Sequence, residues 1–261
     1  MDKHHTFDEV ADIFHQNIDQ HRKGRIRRAL IHRDLEHCLP TLGEKSLNVL
    51  EIGAGAGHTT LWLARKGHQV TAVEPSPKMR LAAQKNQQEN APNLTIHWID
   101  KTLEQVEPHG TFDLVIAHAV LEWTDDPDTN LRRLWDWVKP GGYLSLAFFN
   151  AHARRLKQMI RGEVAALQGR LRRGRSPLTP RHWFRPELIK ETLASLGGLC
   201  IEQTGLRCVS DLLPKHRSDE LSDEALIQLE ERYRHALPFQ LIAPYVHQIW
   251  HRPADDVPPS E

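Results

Sequence analysis

The chain has 261 residues, enough for one substantial hydrophobic core or for two small domains. Its 34 basic and 34 acidic residues balance, so net charge by itself points to neither a nucleic acid nor a membrane as partner. The three cysteines fit neither a disulfide framework nor a metal site, and no apolar run is long enough to cross a bilayer. We therefore expect a cytoplasmic protein without a bound metal or a membrane partner.

The N-terminal part of the chain is predicted to be helical. Residues 7–40 carry apolar side chains at helical spacing, and Lys23-Gly24 interrupts this pattern. The spacing predicts two helices ahead of the first strand, separated at Lys23-Gly24.

Residues 48–57 read Asn-Val-Leu-Glu-Ile-Gly-Ala-Gly-Ala-Gly and carry the most information. The apolar run predicts a buried parallel strand, and Gly53, Gly55 and Gly57 predict a tight turn that approaches a ligand closely. Residues 58–65 then predict a helix. His58 stands where the last glycine of a pyrophosphate-binding G-x-G-x-x-G turn would fall. The G-x-G-x-G form after an acidic residue resembles the cofactor loop of class I S-adenosylmethionine-dependent methyltransferases.

The next segments alternate strands with helices. Residues 69–74 predict a second strand that ends in Glu74, about twenty residues beyond the first glycine, where a carboxylate can accept both ribose hydroxyls. Residues 112–118 predict another strand, and Lys139-Pro140-Gly141-Gly142 predicts a helix stop before a further one. Residues 186–196 predict a helix, and 199–207 and 245–252 two closing strands.

These elements predict a doubly wound, Rossmann-like α/β fold, with a mostly parallel seven-stranded sheet and helices on both faces. Within it we expect four segments: N-terminal helices over the cofactor cleft (1–46), the cofactor-binding core (47–150), a substrate side in the same domain (151–252), and a disordered tail (253–261).

Charge is unevenly distributed toward the C-terminus. Residues 152–185 contain ten Arg or Lys against the single acid Glu163, whereas residues 218–231 contain six acids and no base. The basic stretch, with Arg172, Arg173 and Arg175 at its centre, indicates either a surface for a polyanion or a solvated charged helix.

Outside the glycine loop, several segments resemble one family. They are Phe7-Asp8 with Ala11 and Phe14, Lys23 to Arg27, His118 to Trp123, Phe149 to His152, Thr204 to Arg207 and Glu230 to Tyr233. The family is the bacterial tRNA methyltransferase that esterifies 5-carboxymethoxyuridine at the wobble position. The resemblance implies S-adenosylmethionine as cofactor and the tRNA anticodon stem-loop as partner, and leaves the oligomeric state open.

The resemblance also implies which residues line the cofactor site. They are Arg27, Gly53, Ala54, Glu74, Lys101, Thr102 and His118, with Gly55 in the same loop. Arg27 would hold the methionine carboxylate through paired N–H groups. Ala54 and Glu74 stand where several family members have Gly and Asp, which predicts altered packing rather than lost binding.

The acceptor that the resemblance implies is a carboxylate, ionised near neutral pH, so no general base is needed. An Arg fork suits a carboxylate, and we expect Arg207 to orient it, with Asn150 and His152 as hydrogen-bond donors. A surface Arg at a strand end is the alternative for Arg207. Two other functions stay open: a methyltransferase for a small molecule such as a quinone precursor or fatty acid, and a cofactor-binding module without activity.

Overall fold

The computed structural model describes residues 22–39, 44–107, 109–170 and 179–254, and these residues form one seven-stranded sheet covered by helices. The strands are β1 (Asn48–Ile52), β2 (Gln69–Val73), β3 (His97–Ile99), β4 (Phe112–His118), β5 (Val138–Phe149), β6 (Leu199–Leu206) and β7 (Tyr245–His251). The helices are α1 (Arg22–Cys38), α2 (His58–Arg65), α3 (Pro77–Asn90), α4 (Pro127–Asp136), α5 (Ala151–Ile160), α6 (Val164–Leu167), α7 (Pro186–Ser195), α8 (Lys215–Asp219), α9 (Asp223–Tyr233) and α10 (Leu237–Ile242). Two 3₁₀ turns cover Leu103–Gln105 and Leu121–Trp123.

The strand order across the sheet is β3-β2-β1-β4-β5-β7-β6. Strands β1 to β5 pair in parallel, and β7 is antiparallel to both β5 and β6. The chain order reverses between β1 and β4, and open sheets of this kind bind ligands at such a point, beyond the carboxyl ends of the strands. This topology confirms the predicted fold class.

Both faces of the sheet are buried. Val49 and Leu50 are neighbours in β1 but belong to different hydrophobic clusters, as expected when side chains alternate across a strand. One cluster contains Trp135 and Trp250, and the other contains Leu30 of α1. Burial on both faces explains why β1 and β4 read as continuous apolar runs rather than alternating ones.

One local prediction was misplaced: Lys23 and Gly24, the predicted break, lie in the first turn of α1. The predicted helix stop before a strand is confirmed, since α4 ends at Asp136, but β5 already begins at Val138 and includes residues 139–142. There the register with β4 jumps, and Gly141 and Gly142 exchange backbone hydrogen bonds with Arg252 at the end of the chain's last strand. Gly141 has φ +79°, so the chain bends within the strand, as its Pro-Gly composition indicates, while Arg252 supplies the hydrogen-bond partner.

The acidic stretch is largely accounted for by packing. Asp223 forms ion pairs with Arg22 and Arg25 of α1, at 2.7 and 2.8 Å. Glu230 is fully buried and accepts hydrogen bonds from the backbone N–H groups of Val209 and Ser210. These two acids therefore hold α9 against α1 and against the loop after β6, and do not form a free negative surface.

Several predicted features lie outside the described residues. These are the helix over residues 7–21, the cluster Arg172, Arg173 and Arg175, and most of the predicted tail, residues 255–261. None of the described helices is long and apolar enough to cross a membrane.

Candidate active site

A cleft of about 510 Å³ opens at the carboxyl ends of β1, β2 and β4. All eight residues predicted to contact the cofactor line it, which are Arg27, Gly53, Ala54, Gly55, Glu74, Lys101, Thr102 and His118. They come from α1, from the loops after β1, β2 and β3, and from the end of β4. The cleft thus occupies the reversal point of the sheet and brings the whole predicted set together.

The glycine loop gives the cleft a floor of backbone. The N–H groups of Gly53 and Ala54 both donate to the carbonyl of Val73, which ties the loop to the end of β2. Gly53 has φ +71°, and a Cβ there would lie 2.6 Å from a methyl carbon of Val120. Only glycine fits this position, so the loop backbone can approach a ligand closely.

Glu74 is buried and reaches back to the glycine loop. Its Oε2 accepts the N–H of Gly55 at 2.8 Å, and its Oε1 accepts the N–H of Ser76 at 3.0 Å. A carboxylate has about four acceptor positions, so these bonds leave capacity for hydroxyl donors. Glu74 therefore both shapes the loop and presents acceptors to the cleft.

Glu51 also lines the cleft, although the sequence argument did not select it. Burial raises its pKa to about 7, a hydrogen bond from the Thr60 hydroxyl opposes that shift, and the charge of Glu74 adds to it. In the sequence, the position of Glu51 just before the first glycine of the loop could have identified it as a site residue. Two facing carboxylates, one with a raised pKa, suit a ligand that brings positive charge.

His118 ends β4 and lines the cleft. Its Nε2 lies 2.8 Å from the hydroxyl of Ser145 on β5. Burial holds the pKa of His118 well below its ordinary value, and nearby His247 and Arg27 lower it further, so the ring is neutral. The next residue, Ala119, has φ +58°, a strained conformation of the kind that concentrates at functional sites.

Arg207 does not line the cleft but lies beside it. Its guanidinium carbon is 5.0 Å from the ring centre of Tyr245, and that of Arg27, a cleft residue, is 5.1 Å from the same ring. Arg207 has φ +64° and pairs with Asp211 at 3.0 Å. Its buried Nε has no hydrogen-bond partner among the described residues. Because two cations lie against one aromatic ring, the surroundings of Tyr245 favour an anion.

Asn150 and His152, the other two residues predicted to bind the acceptor, contact protein groups away from the cleft. The Asn150 amide is buried, donates to the carbonyls of Leu241 and Ala243, and accepts the N–H of His152 as the N-cap of α5. The His152 ring faces Glu187 at 3.0 Å. Neither residue lines the cleft, and both hydrogens of the Asn150 amide are already donated. These contacts leave Arg207 as the stronger acceptor-binding candidate.

Glu122 is a further residue that the sequence argument passed over. It is fully buried; its Oε1 accepts the N–H of Phe149, and its Oε2 has no hydrogen-bond partner within the described part of the chain. Burial raises its pKa to about 7, while backbone hydrogen bonds and Arg27 oppose that shift. Its burial depends on the packing of β5 and the 3₁₀ turn, which no local pattern reveals.

Helix α5 carries three of the seven cations of the basic stretch that the structure describes. Arg154, Arg155 and Lys157 are exposed, and no residue of α5 is buried. The guanidinium carbon of Arg154 lies 3.6 Å from the ring centre of Trp183, while Phe184 packs edge-on against buried Phe148. Of these two adjacent aromatic residues, therefore, Phe184 packs against the core, and Trp183 lies under an exposed cation.

The described residues contain no group of three or more His, Cys, Asp or Glu side chains placed to hold a metal ion.

Comparisons with known proteins point to one activity. A family model described as a methyltransferase domain matches residues 50–146. The tRNA 5-carboxymethoxyuridine methyltransferase of Escherichia coli (strain K12) is 32% identical over 251 residues, which cover 95% of this chain and 96% of that protein. A ubiquinone biosynthesis O-methyltransferase of Rhodopseudomonas palustris (strain BisB5) is 29% identical over 163 residues, 61% of each chain.

A solved structure shares the fold. The magnesium protoporphyrin IX methyltransferase of Synechocystis PCC 6803, with bound S-adenosylhomocysteine, matches with a TM-score of 0.65 at 15% identity, over 95% of this chain and 97% of that one. The match to the Escherichia coli protein covers 251 residues and therefore extends well beyond residues 50–146, which the methyltransferase domain model matches.

Proposed function

Because the chain belongs to the family of the tRNA 5-carboxymethoxyuridine methyltransferases, we propose that it methylates the carboxylate of 5-carboxymethoxyuridine at the tRNA wobble position. It is an S-adenosylmethionine-dependent methyltransferase. The observation that carries the proposed acceptor is the 95% coverage of the chain at 32% identity, because the domain model alone spans only residues 50–146. The product is the methyl ester.

The cleft fits S-adenosylmethionine. The glycine loop lines the cleft and presents its backbone to the methionine part, and the Glu74 carboxylate can accept the two ribose hydroxyls. Arg27 is the candidate for the methionine carboxylate, and Lys101 with Thr102 the candidates for the adenine edge. When bound, the cofactor supplies a methyl group on a positively charged sulfur, which an incoming nucleophile can displace.

The chain's own contribution to catalysis is to hold the acceptor carboxylate in position to attack the methyl group of the cofactor. A carboxylate with an ordinary pKa of about 4 is ionised at neutral pH, so no side chain has to remove a proton from it. Such positioning lowers a barrier by about 7–11 kcal/mol at best. In this proposal Arg207 orients the carboxylate, and Asp211 balances part of its charge, so that the nucleophile is not over-neutralised.

The geometry around Tyr245 supports this role. Arg207 lies against the same ring as Arg27, which lines the cofactor cleft. The Nε of Arg207 is buried and lacks a hydrogen-bond partner among the described residues, so a carboxylate that reached it would satisfy this donor. The left-handed backbone at Arg207 is strain of the kind that concentrates at functional sites.

A tRNA substrate also needs a phosphate-binding surface. The exposed cations of α5 provide part of one, and Arg172, Arg173 and Arg175 follow it in the sequence. Replacing these three by Ala should weaken tRNA binding and flatten its salt dependence by about 0.7–0.9 log unit per lost phosphate contact. Cofactor binding should stay intact. If the slope of log binding constant against log salt concentration is unaltered, this cluster does not contact phosphate.

The acceptor is tested in vitro with isotopically methyl-labelled S-adenosylmethionine. Purified protein is incubated with tRNA from cells that lack it, and separately with small organic acids. We expect the label in the methyl ester of 5-carboxymethoxyuridine, found by nucleoside mass spectrometry. Label only in a small acid would favour the small-molecule alternative, and cofactor binding without any transfer would favour the non-catalytic one.

A further inference from the structure

Residues 179–185 form a strap that runs from the cofactor cleft to the basic helix α5. Arg181 lines the cleft, and its backbone N–H donates to the carbonyl of Glu122 at 3.0 Å. Further along the strap, Phe184 forms a parallel bridge with Asn150, the N-cap of α5. The strap is therefore fixed at both ends by backbone hydrogen bonds, one end at the cleft and the other at α5.

Trp183 of the strap points away from the core. Its neighbour Phe184 packs edge-on against buried Phe148, and successive side chains of an extended segment point to opposite sides. Trp183 is only partly buried, and the guanidinium carbon of Arg154 lies 3.6 Å from its ring centre. Aromatic rings and Arg guanidinium planes are the groups on which unstacked nucleobases stack.

A small cavity of about 120 Å³ opens against Trp183, between the first turn of α4 and one face of α7. Such a cavity is well below the about 300–1,000 Å³ of a cofactor pocket, so it suits a single flat ring. Asp128, Arg185, Leu188 and Thr192 also line it. A carboxylate at Asp128 can accept N–H groups from the edge of a base, whereas it would repel a phosphate.

The cavity lies close to the proposed acceptor position. At the end of β5, Phe149 pairs with Tyr245 on one side, and the next residue, Asn150, pairs with Phe184 on the other. Paired strands are about 4.8 Å apart, so the backbone of Phe184 lies about 10 Å from that of Tyr245, the ring that Arg207 contacts. Stacked bases are only about 3.4 Å apart. The spacing therefore suits a base splayed away from the acceptor, as in protein-bound RNA loops.

We propose that this cavity binds a base of the anticodon loop next to the wobble nucleotide, stacked on Trp183. The exposed cations of α5, with Arg154 among them, contact the phosphates beside that base. Asp128 and Thr192 contact the edge of the base. This inference rests on the proposed tRNA substrate but not on how Arg207 holds the acceptor.

Stacking is tested by fluorescence anisotropy with a labelled anticodon stem-loop that carries 5-carboxymethoxyuridine. Trp183→Ala should weaken binding about 5- to 150-fold, whereas Trp183→Phe, which keeps a stacking face, should retain most of the affinity. The control is Trp137→Ala, which removes a partly buried Trp under Arg133 at the other end of β5 and should bind the stem-loop as wild type does. Unchanged S-adenosylhomocysteine affinity in each variant shows that the cleft is intact. If Trp183→Ala then binds the stem-loop as tightly as wild type, the proposal is overturned.

Two further stem-loops, each lacking the base on one side of the wobble position, identify the ligand. With one of them Trp183→Ala should cost little additional affinity, because the stacking partner is already absent. The slope of log binding constant against log salt concentration should be unchanged in Trp183→Ala but shallower by about 0.7 in Arg154→Ala. Fully additive losses with both stem-loops would mean that Trp183 stacks on neither base, contrary to the proposal.

The wild-type protein separates this inference from the proposed function. If it binds the stem-loop without methylating it, the proposed acceptor is wrong, and the binding comparison still decides the role of Trp183. If Trp183→Ala methylates the stem-loop with the kcat and KM of wild type, the stacking site alone is wrong. A second copy of this chain is the other candidate occupant. A wild-type dimer that Trp183→Ala converts to a monomer in analytical ultracentrifugation, with stem-loop affinity retained, would assign the cavity to self-association and refute base binding.

Discussion

Glu74→Gln tests the carboxylate that joins the glycine loop to the cofactor site. In the folded protein this carboxylate accepts the N–H groups of Gly55 and Ser76 and is only 4% exposed. Gln keeps the shape but offers one oxygen and one NH₂ group, so one of these backbone donors and one ribose hydroxyl lose an acceptor. Each hydrogen bond to a charged group contributes about 1.5–3 kcal/mol, offset by relief of the buried charge.

The expected result is therefore a 10- to 100-fold loss of S-adenosylhomocysteine affinity, equivalent to about 1.4–2.8 kcal/mol, measured by titration calorimetry. Because the charge of Glu74 helps to raise the pKa of Glu51, that pKa should also fall below about 7. Glu104→Gln, which removes an exposed carboxylate at the rim of the same cleft, is the control and should change affinity less than about two-fold. Affinity within two-fold of wild type in Glu74→Gln would refute the ribose assignment.

Four further predictions concern stability and catalysis. The pKa of Glu51 rises from 4.5 to about 7 on folding, so its stabilising contribution is complete below pH 4.5 and is lost as pH rises through 7. Urea unfolding of Glu51→Gln should accordingly show about 1–3 kcal/mol more stability than wild type at pH 8, and little difference at pH 5. Gly57→Ala should lower the free energy of unfolding by about 2–4 kcal/mol, because φ is +74° and the new Cβ would crowd α3, whereas Gly67→Ala, at φ +89° in open space, should lose only about 1–2 kcal/mol. Arg207→Lys should reduce kcat on tRNA about 10- to 100-fold with cofactor affinity unchanged, since the charge stays but the paired geometry is lost. At saturating substrates kcat should not rise with unit slope between about pH 6 and 8; such a rise, abolished in Glu122→Gln, would identify a base and contradict a carboxylate acceptor.

The sequence was most informative where function depends on a contiguous segment. The glycine loop, the carboxylate ending β2 and the strand ending in His118 could each be recognised from local spacing, and parallel α/β topology then brings strand ends to one edge. The family resemblance supplied Arg27, Lys101, Thr102 and His118, and the sheet topology explains why they lie in one cleft with the glycine loop and Glu74.

What could not be predicted depends on contacts between distant segments. Asp34 and His247 are 213 residues apart, and only the antiparallel insertion of β7 places them together. The same insertion puts Arg207 and Arg27 on the Tyr245 ring. No periodicity in a single sequence specifies which strands pair or in what register. The early start of β5 has the same origin, since Gly141 and Gly142 exchange hydrogen bonds with Arg252, the residue that follows β7.

Nucleoside mass spectrometry of tRNA from a strain that lacks this protein tests the proposed acceptor in the cell. We expect the methyl ester of 5-carboxymethoxyuridine to disappear and the free carboxylic acid to accumulate in its place. A plasmid copy of the wild-type gene should restore the ester. If the ester level is unchanged in the deletion strain, which must first be shown to make 5-carboxymethoxyuridine, the proposed acceptor is wrong.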